Sequence, residues 1–315
     1  MKRILVTGAL GQIGSELLGQ LREAYGADNV IGTDIREAEG ERNNGPFEVV
    51  DVTNADRLHE VAKAHNVDTI MHLAALLSAK AEVYPKVAWD INMGGLVNAL
   101  EVARELELQF FTPSSIGAFG PTTPKDQTPQ DTLQRPTTMY GVNKVAGELL
   151  ADYYHHRFGV DTRGVRFPGL ISYVTPPGGG TTDYAVEIYY EAIKNKAYRS
   201  YIGEGTKMDM MYMPDALNAI IQLMEADPAK LEHRNAFNIS AISAAPEDFG
   251  KAIQKHIPEF TLDYEVDPIR QNIANSWPNS IDSSVATKEW GFQAEYDIDR
   301  MTEDMLEKVK EKHTK

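Results

Sequence analysis

The sequence contains no cysteine among its 315 residues. Disulfide bonds, thiolate nucleophiles and cysteine-ligated zinc sites are therefore excluded. It also lacks any apolar run approaching the roughly 20 residues that a membrane-spanning helix needs. The basic start at Met1–Arg3 leads directly into a short apolar stretch rather than into the long apolar region of a signal peptide. We therefore expect an unexported, cytoplasmic protein that has no membrane partner.

Positive charge is scarce as well. The chain has 31 Lys and Arg residues against 46 Asp and Glu residues, which gives a formal net charge of −15. A polyanion would be repelled over most of such a surface, so we expect no nucleic-acid partner. The hydrophobic content of 42% is sufficient for the core of one large α/β unit, with or without a smaller lobe.

Short apolar runs alternate with longer amphipathic segments along the first two thirds of the chain. This alternation is typical of βαβ units that build a doubly wound parallel sheet. The predicted strands are Arg3–Thr7, Val30–Thr33, Glu48–Val50, Thr69–Leu73, Gln109–Pro113 and Thr162–Phe167. The predicted helices are Ile13–Tyr25, Ala55–His65, Ala88–Leu106 and Tyr140–Phe158.

The regular pattern ends after Phe167. Pro168 and the stretch Pro176–Gly180 interrupt it, and the segments that follow are shorter and less evenly spaced. We therefore predict a first domain over residues 1–168, to which the chain crosses back later. Residues 169–315 are predicted to form mainly a smaller C-terminal α/β lobe that binds the substrate.

A glycine-rich turn joins the first predicted strand to the first helix. Gly8, Gly11 and Gly14 are spaced three and three, which lets the backbone approach a pyrophosphate at a helix N-terminus. Asp34 closes the next strand, 20 residues beyond Gly14, where it can accept hydrogen bonds from ribose hydroxyls and would repel a 2′-phosphate. The nearby Arg36 weakens the preference for NAD over NADP without reversing it. The pattern predicts a Rossmann-type domain that binds NAD rather than NADP.

Other cofactor contacts are expected along the same edge of the sheet. Asp51 could lie beside the adenine amino group with Val52 against the ring, and the small residues of Leu73–Ala75 permit close approach. Asn92 could hydrogen-bond the backbone and hold this edge in shape, or be an ordinary polar helix residue. The expected cofactor-binding residues are Thr7, Gly8, Gly11, Gln12, Ile13, Gly14, Asp34, Ile35, Arg36, Asp51, Val52, Leu73, Ala74, Ala75, Asn92, Tyr140, Lys144 and Phe167.

A phenol and an ammonium lie four residues apart in the last predicted helix of the sheet. Tyr140 and Lys144 therefore face the same way, and the ammonium favours the phenolate form of the tyrosine. Ser114 and Ser115 end the fifth strand at the same edge, where a serine can bind a substrate oxygen or cap the following turn. These four residues are the candidate catalytic set, and we expect no metal in it.

These motifs, in this order along nearly the whole chain, resemble the extended short-chain dehydrogenase/reductase superfamily, which includes the nucleotide-sugar epimerases and dehydratases. The resemblance implies that Tyr140 is the general base for alcohol oxidation and that Lys144 favours its ionised form and holds the nicotinamide ribose. It also implies that Ser115 polarises the reacting oxygen, with Ser114 as the alternative.

The resemblance further implies a homodimer, because members of this superfamily commonly dimerise through a four-helix contact. The two helices concerned are Ala88–Leu106 and Tyr140–Phe158. Both carry apolar residues on more than one face, which is compatible with such a contact.

Segments outside the nucleotide-binding pattern are similar to the short-chain-type L-threonine 3-dehydrogenases, namely Leu76–Ala79, Phe167–Ser172, Pro176–Ala185 and Tyr212–Ala216. The resemblance implies oxidation of L-threonine to 2-amino-3-oxobutyrate with reduction of NAD to NADH, and a loop over 178–183 that closes on the substrate. The expected substrate-binding residues are Ser78, Ser114, Ser115, Tyr140, Gly180, Thr181, Thr182 and Asp183. The threonines and Asp183 could instead cap a helix over Tyr184–Ile193.

Two alternatives remain open. The first is an NAD-dependent epimerase or dehydratase that acts on a nucleotide sugar and clamps a diphosphate with basic residues. The stretch Lys207–Tyr212 counts against it, because its methionines suit apolar packing and Asp209 would repel phosphate. The second is a cofactor-binding sensor that has lost the chemistry, against which the intact Tyr140 and Lys144 count.

Overall fold

The computed structural model describes residues 1–39, 44–175 and 180–314. Its strands are β1 Ile4–Thr7, β2 Val30–Asp34, β3 Phe47–Val49, β4 Thr69–His72, β5 Gln109–Phe111, β6 Ser114–Ser115, β7 Thr162–Arg163, β8 Val165–Phe167, β9 Gly169–Ile171, β10 Ala197–Ser200, β11 Met208–Tyr212, β12 Phe237–Asn238, β13 Ile242–Ala244 and β14 Thr261–Tyr264.

The α-helices of the described ranges are α1 Gln12–Tyr25, α2 Ala55–Ala64, α3 Ser78–Val83, α4 Pro85–Trp89, α5 Gly95–Glu105, α6 Met139–Phe158, α7 Tyr184–Asn195, α8 Met213–Glu225, α9 Pro246–Gln254, α10 Pro268–Ser276, α11 Ser284–Trp290 and α12 Ile298–Thr314. None of these helices combines the length and the apolar character that crossing a bilayer requires.

A six-stranded parallel sheet organises the first of two compact units, which comprises residues 1–118, 138–166 and 217–237. The strand order is β3-β2-β1-β4-β5-β7, and every pairing within it is parallel. The chain starts in the centre, builds outward to β3 and then crosses to the other side through β4. This is the doubly wound order, so the predicted Rossmann-type fold is confirmed.

The apolar content of the strands explains why this sheet is buried. All residues of β1, β2 and β4 are inaccessible or nearly so, as expected for parallel strands covered by helices on both faces. Leu5, Ile70 and Phe110 from neighbouring strands pack with Leu58 of α2 and Leu100 of α5 in one cluster. The helices supply the amphipathic faces that the sequence pattern predicts.

Two predicted elements of this unit are interrupted. The predicted strand Thr162–Phe167 divides at Gly164, where a Cβ would lie 2.5 Å from the carbonyl oxygen of Thr112. Gly164 instead donates its N–H to the carbonyl of Arg234, at 3.0 Å. The predicted helix Ala88–Leu106 begins earlier, at Pro85, and contains a π-helical turn over Asp90–Gly94.

The second unit comprises residues 119–137, 167–216 and 238–315. Its strands form a sheet of order β13-β11-β9 and a separate parallel pair, β10 with β14. Residues 119–137, predicted to lie in the first domain, belong here because Thr128 donates its N–H to the carbonyl of Ser280 and Gln130 accepts from the N–H of Asn238.

The central strand of the second unit carries a buried carboxylate. Asp209 of β11 is fully buried, and it accepts hydrogen bonds from the Ser240 hydroxyl at 2.8 and 2.9 Å and from the Ile281 N–H at 2.8 Å. Its role is therefore structural rather than to repel phosphate. Burial raises the pKa of Asp209 to about 7, although the hydrogen bonds act in the opposite direction.

This pKa predicts how stability depends on pH. An unfolded aspartate titrates near 3.9, so between about pH 4 and 7 the folded chain holds a proton at Asp209 that the unfolded chain has released. The stabilisation from this group is fully present below pH 4 and is lost as the pH rises through 7, by at most about 1.4 kcal/mol per pH unit.

We expect Asp209→Asn to remove this contribution to the pH dependence. The measurement is the free energy of unfolding in urea at pH 5 and at pH 7, compared between wild type and variant. Asp263→Asn, which changes an exposed carboxylate of β14, is the control and should keep the wild-type slope. An unchanged slope in the Asp209 variant would contradict the prediction, even if the variant is less stable at both pH values.

Candidate active site

The turn after β1 is shaped by the absence of two side chains. Gly8 adopts φ +66°, and a Cβ there would lie 2.7 Å from the backbone nitrogen of Ala74. A Cβ at Gly14 would lie 2.2 Å from the carbonyl oxygen of Gly8. Gly11, at the N-cap of α1, has no side chain that could cap the helix, so the first amides of α1 can face an anion. The turn fits the pyrophosphate of a dinucleotide.

A carboxylate stands at the carboxyl end of β2, beside this turn. Asp34 accepts a hydrogen bond from the N–H of Leu10 at 3.1 Å, and from the N–H and the Nε of Arg36 at 3.3 Å each. The Arg36 side chain is 66% exposed, so water screens most of this pairing. Asp34 thus presents its carboxylate at the end of β2, where it suits ribose hydroxyls, and the neighbouring Ile35 presents an exposed apolar side chain.

The residues after β3 lie against the start of α5. Val52 is buried, and a Cβ at Gly95 would lie 2.6 Å from its Cγ2 atom. Asp51 is exposed and accepts hydrogen bonds from the N–H and the hydroxyl of Thr53, at 2.9 and 2.7 Å. The Asp51 carboxylate thus caps its own turn.

Asn92 fixes the backbone beyond β4. Its amide accepts from the N–H of Leu76 at 2.7 Å and donates to the Leu76 carbonyl at 3.1 Å. It also donates to the side chain of Asn143 at 3.1 Å, which ties this edge to α6. Sequence reasoning did not single out Asn143, although a polar residue between Tyr140 and Lys144 on a helix was an available signal.

The first turn of α6 carries the tyrosine. Thr138 caps the helix by accepting a hydrogen bond from the N–H of Gly141 at 3.1 Å. One turn after Tyr140, the Lys144 ammonium lies 5.3 Å from the centroid of the tyrosine ring and donates to the carbonyl of Pro113 at 2.7 Å. The end of β5 therefore holds the lysine beside the tyrosine.

Ser115 and Tyr140 converge on a glycine. The Ser115 hydroxyl accepts from the N–H of Gly117 at 3.1 Å. A Cβ at Gly117 would lie 3.3 Å from Cδ1 of Tyr140 and 3.5 Å from Oγ of Ser115. Gly117, which no motif of the sequence marks, leaves room between the hydroxyl and the phenol ring.

Ser114 has a different environment. Its hydroxyl donates to the carboxylate of Glu148, which also accepts from Arg166 Nε at 3.0 Å and from a terminal guanidinium nitrogen at 2.9 Å. All three side chains are buried, so this charge-assisted network replaces their lost hydration. Ser114 is committed to this network, whereas Ser115 lies beside Tyr140. Glu148 follows Lys144 by four residues on the same helix, but nothing in the sequence indicates its partners.

The remaining predicted contacts are distributed over both units. Ser78 opens α3 in the first unit and is partly exposed. In the second unit Phe167 is buried in β8, and Thr181 is also buried. The methyl group of Thr182 packs close to Gly169.

Asp183 stands at the N-cap position of α7 without capping it through its side chain. Its carboxylate instead accepts from the N–H of Gly180 at 2.6 Å. Helix α7 runs from Tyr184 to Asn195, two residues beyond the predicted end. Residues 178 and 179 of the predicted closing loop lie outside the described residues, as do residues 176 and 177 that precede it.

The glycine turn, the acid of β2 and the Ser115, Tyr140 and Lys144 group lie along one edge of a parallel sheet. Together they define a dinucleotide-dependent oxidoreductase site of the short-chain dehydrogenase/reductase class.

The family model described as the NAD dependent epimerase/dehydratase family matches residues 4–240, and the chain belongs to this family. It is 64% identical over 316 residues to an uncharacterised epimerase/dehydratase of Staphylococcus aureus (strain USA300), covering 100% of this chain and 98% of that protein.

Solved structures similar to this chain include L-threonine dehydrogenases. The L-threonine dehydrogenase of Clostridium difficile is 66% identical, with 99% and 98% of the two chains covered and a TM-score of 0.98. A GalE-like L-threonine dehydrogenase of Cupriavidus necator, in its holo form, is 47% identical, with 98% and 99% covered and a TM-score of 0.95. The resemblance to the short-chain-type L-threonine dehydrogenases is thereby confirmed, and the cofactor is NAD.

We expect Asp34→Asn to weaken NAD binding about tenfold, because a charge-assisted hydrogen bond to ribose becomes a neutral one. Binding of NADP should weaken less or improve, since the charge that repels the 2′-phosphate is removed. The measurement is the dissociation constant of each dinucleotide by calorimetric titration. Asp28→Asn, an exposed acid between α1 and β2, is the control. An unchanged ratio of the two constants would refute the assigned role of Asp34.

Proposed function

We propose that this enzyme oxidises the β-hydroxyl of L-threonine, giving 2-amino-3-oxobutyrate and reducing NAD to NADH. The observation that carries the substrate assignment is the 66% identity, over nearly the full length of both chains, to a solved L-threonine dehydrogenase. The site geometry supports the chemistry, because a serine hydroxyl and a phenol lie on either side of Gly117.

In the proposed reaction the chain's own residues bind the dinucleotide, orient the substrate hydroxyl and accept its proton. Gly8 and Gly14 admit the pyrophosphate and Asp34 binds the adenosine ribose. Ser115 donates a hydrogen bond to the substrate oxygen while the phenolate of Tyr140 takes the proton from the same hydroxyl. Bound NAD supplies the acceptor for the hydride that leaves the carbinol carbon.

Lys144 acts through its charge and its position. Its ammonium lies 5.3 Å from the centroid of the Tyr140 ring, and its side chain is proposed to reach the nicotinamide ribose. Because the base and the oxygen-polarising group are both supplied by side chains, the proposed reaction uses no metal. Ser114 serves this arrangement indirectly, by joining β6 to the Glu148 carboxylate of α6.

Recognition of the amino acid is proposed for the Gly180–Asp183 stretch and Ser78. The carboxylate of Asp183 suits the substrate ammonium, and the hydroxyls of Thr181 and Thr182 suit its polar atoms. Ser78, at the first position of α3, is proposed to bind the substrate carboxylate.

The alternative is an NAD-dependent nucleotide-sugar epimerase or dehydratase. The name of the matched family and that of the curated relatives favour it. In β11, however, Met208, Met210 and Met211 are all buried core residues, so that strand offers no side chain to a diphosphate. A UDP-hexose is therefore included in the test.

The proposal predicts that purified protein forms NADH from NAD and L-threonine, with or without a metal chelator, and that Tyr140→Phe lowers kcat at least about a thousandfold. Loss of the proton acceptor removes general base catalysis but leaves the NAD contacts of the β1 turn and Asp34 intact. The measurements are NADH absorbance at 340 nm and NAD binding by calorimetry. D-threonine, L-allo-threonine and L-serine are run beside L-threonine.

Tyr153→Phe is the matched control, because Tyr153 lies on the same helix and on its exposed face. Its substitution removes only a hydroxyl and keeps the apolar ring, so the variant should keep full activity. Turnover of L-threonine by the Tyr140 variant would refute the mechanism. Conversion of the UDP-hexose together with inertness toward every amino acid would refute the substrate assignment and favour the alternative.

We also propose that the enzyme is a homodimer. Val142, Leu149 and Tyr153 are exposed on α6 at spacings of seven and four, which places them on one helix face. Further exposed apolar side chains of the same unit lie in or next to α3 and α4, namely Val83, Tyr84, Val87 and Trp89. An apolar surface of this kind is suited to a second copy of the chain.

We expect Leu149→Glu to shift the protein from dimer to monomer, because it would bury a charge in the interface. Sedimentation velocity at micromolar concentration measures the outcome. Leu133→Glu is the control, since Leu133 is 61% exposed, similar to the 63% of Leu149, and lies in the second unit. A wild-type protein that sediments as a monomer would refute the dimer.

A further inference from the structure

A small cavity adjoins the catalytic lysine. Its volume is about 40 Å³, and its lining includes His72, Ser114, Lys144, Glu148 and Asn235. A buried water needs roughly 10–15 Å³ of such space, so the cavity has room for about two or three water molecules. All of the lining residues belong to the first unit.

Two buried polar atoms of this lining lack a partner among the described residues. They are Nε2 of His72 and Oδ1 of Asn235, and the two side chains are only 3% and 7% exposed. Leaving a buried donor or acceptor unsatisfied costs about 1–3 kcal/mol, so native structures rarely do so. Two such atoms in the lining of one cavity of this size point to bound water.

The surrounding hydrogen bonds indicate what each atom offers. The Ala74 N–H donates to the hydroxyl of Thr7 at 3.4 Å, and this hydroxyl lies 3.0 Å from Nδ1 of His72. We assign the Thr7 hydroxyl as the donor to Nδ1, which places the ring proton of His72 on Nε2. Burial, and next the charge of Lys144, lower the pKa of His72 to about 3, which keeps the ring neutral.

Asn235 has the complementary role. Its Nδ2 donates to Asp152 at 2.8 Å and to the hydroxyl of Thr162 at 3.0 Å, which orients the amide and leaves Oδ1 as an acceptor. With this assignment the lining supplies the ring N–H of His72, the ammonium of Lys144 and the amide oxygen of Asn235. A water molecule can accept hydrogen bonds from the two donors and donate one of its two protons to the amide oxygen.

We propose that ordered water fills this cavity and joins His72 and Asn235 to the ammonium of Lys144, making both residues positioning residues for the catalytic lysine. Lys144 has three N–H donors. One goes to the Pro113 carbonyl at 2.7 Å, one goes to the cavity water, and the third is left for the nicotinamide ribose. The kinetic consequence rests on the proposed function, whereas the hydration does not.

The kinetic test compares two substitutions of one residue. His72→Asn can keep the hydrogen bond to Thr7 but has no atom at the place of Nε2, whereas His72→Gln supplies a polar atom there. We expect His72→Asn to lower kcat about tenfold with the KM for L-threonine changed less than about twofold, and His72→Gln to restore at least half of the wild-type kcat. An unchanged kcat in His72→Asn, or equal loss in both variants, would overturn the positioning role.

The structural test does not depend on activity. A crystal structure of the wild-type protein should show water within hydrogen-bonding distance of both His72 Nε2 and Lys144 Nζ, and the water at Nε2 should be lost in His72→Asn. A well-defined cavity without water density would overturn the inference. If the protein did not oxidise L-threonine but this water were present, the proposed function would fail and the hydration would stand.

Discussion

The site depends on the close approach of backbone to backbone in the turn after β1. At Gly8 and Gly14 the neighbouring main chain lies where a Cβ would have to be, at 2.7 and 2.2 Å. No side chain relaxation can relieve a clash of this kind, because the obstructing atoms belong to the backbone. This packing lets α1 begin directly against the ends of the central strands, and it therefore places the anion-binding amides and Asp34 at the same edge of the sheet.

Helix α6 connects the chemistry to the core. On it the phenol of Tyr140, the ammonium of Lys144 and the Glu148 carboxylate recur every four residues, so a single helical face carries the candidate catalytic pair and a buried ion pair. The ion pair with Arg166 resists rotation of this face, because breaking it would leave an uncompensated charge in the interior. Asn143, on the adjoining face, bonds to Asn92 and so ties α6 to the segment after β4.

Periodicity and local motifs predicted the doubly wound sheet, the cofactor turn and the tyrosine and lysine helix, since each is determined by residues close in sequence. The differences in strand and domain boundaries involve contacts between distant segments. The strand break at Gly164 reflects the carbonyl of Thr112, and the placement of 119–137 reflects hydrogen bonds to Asn238 and Ser280. The network of Ser114, Glu148 and Arg166 could not be predicted from the sequence either. The sequence around a serine does not show whether its hydroxyl binds substrate or a buried carboxylate.

The interleaving of the two units has a consequence for synthesis on the ribosome. Arg163 is fully buried beside β5, and its guanidinium donates to the carbonyls of Leu223, Met224 and Ala226. Until residues 223–226 have been synthesised, the Arg163 guanidinium lacks these three carbonyl partners, and the first unit cannot complete its packing around it. The first unit therefore reaches this packing only after residues 167–216 of the second unit have all been translated, so its folding is not completed in the order of synthesis.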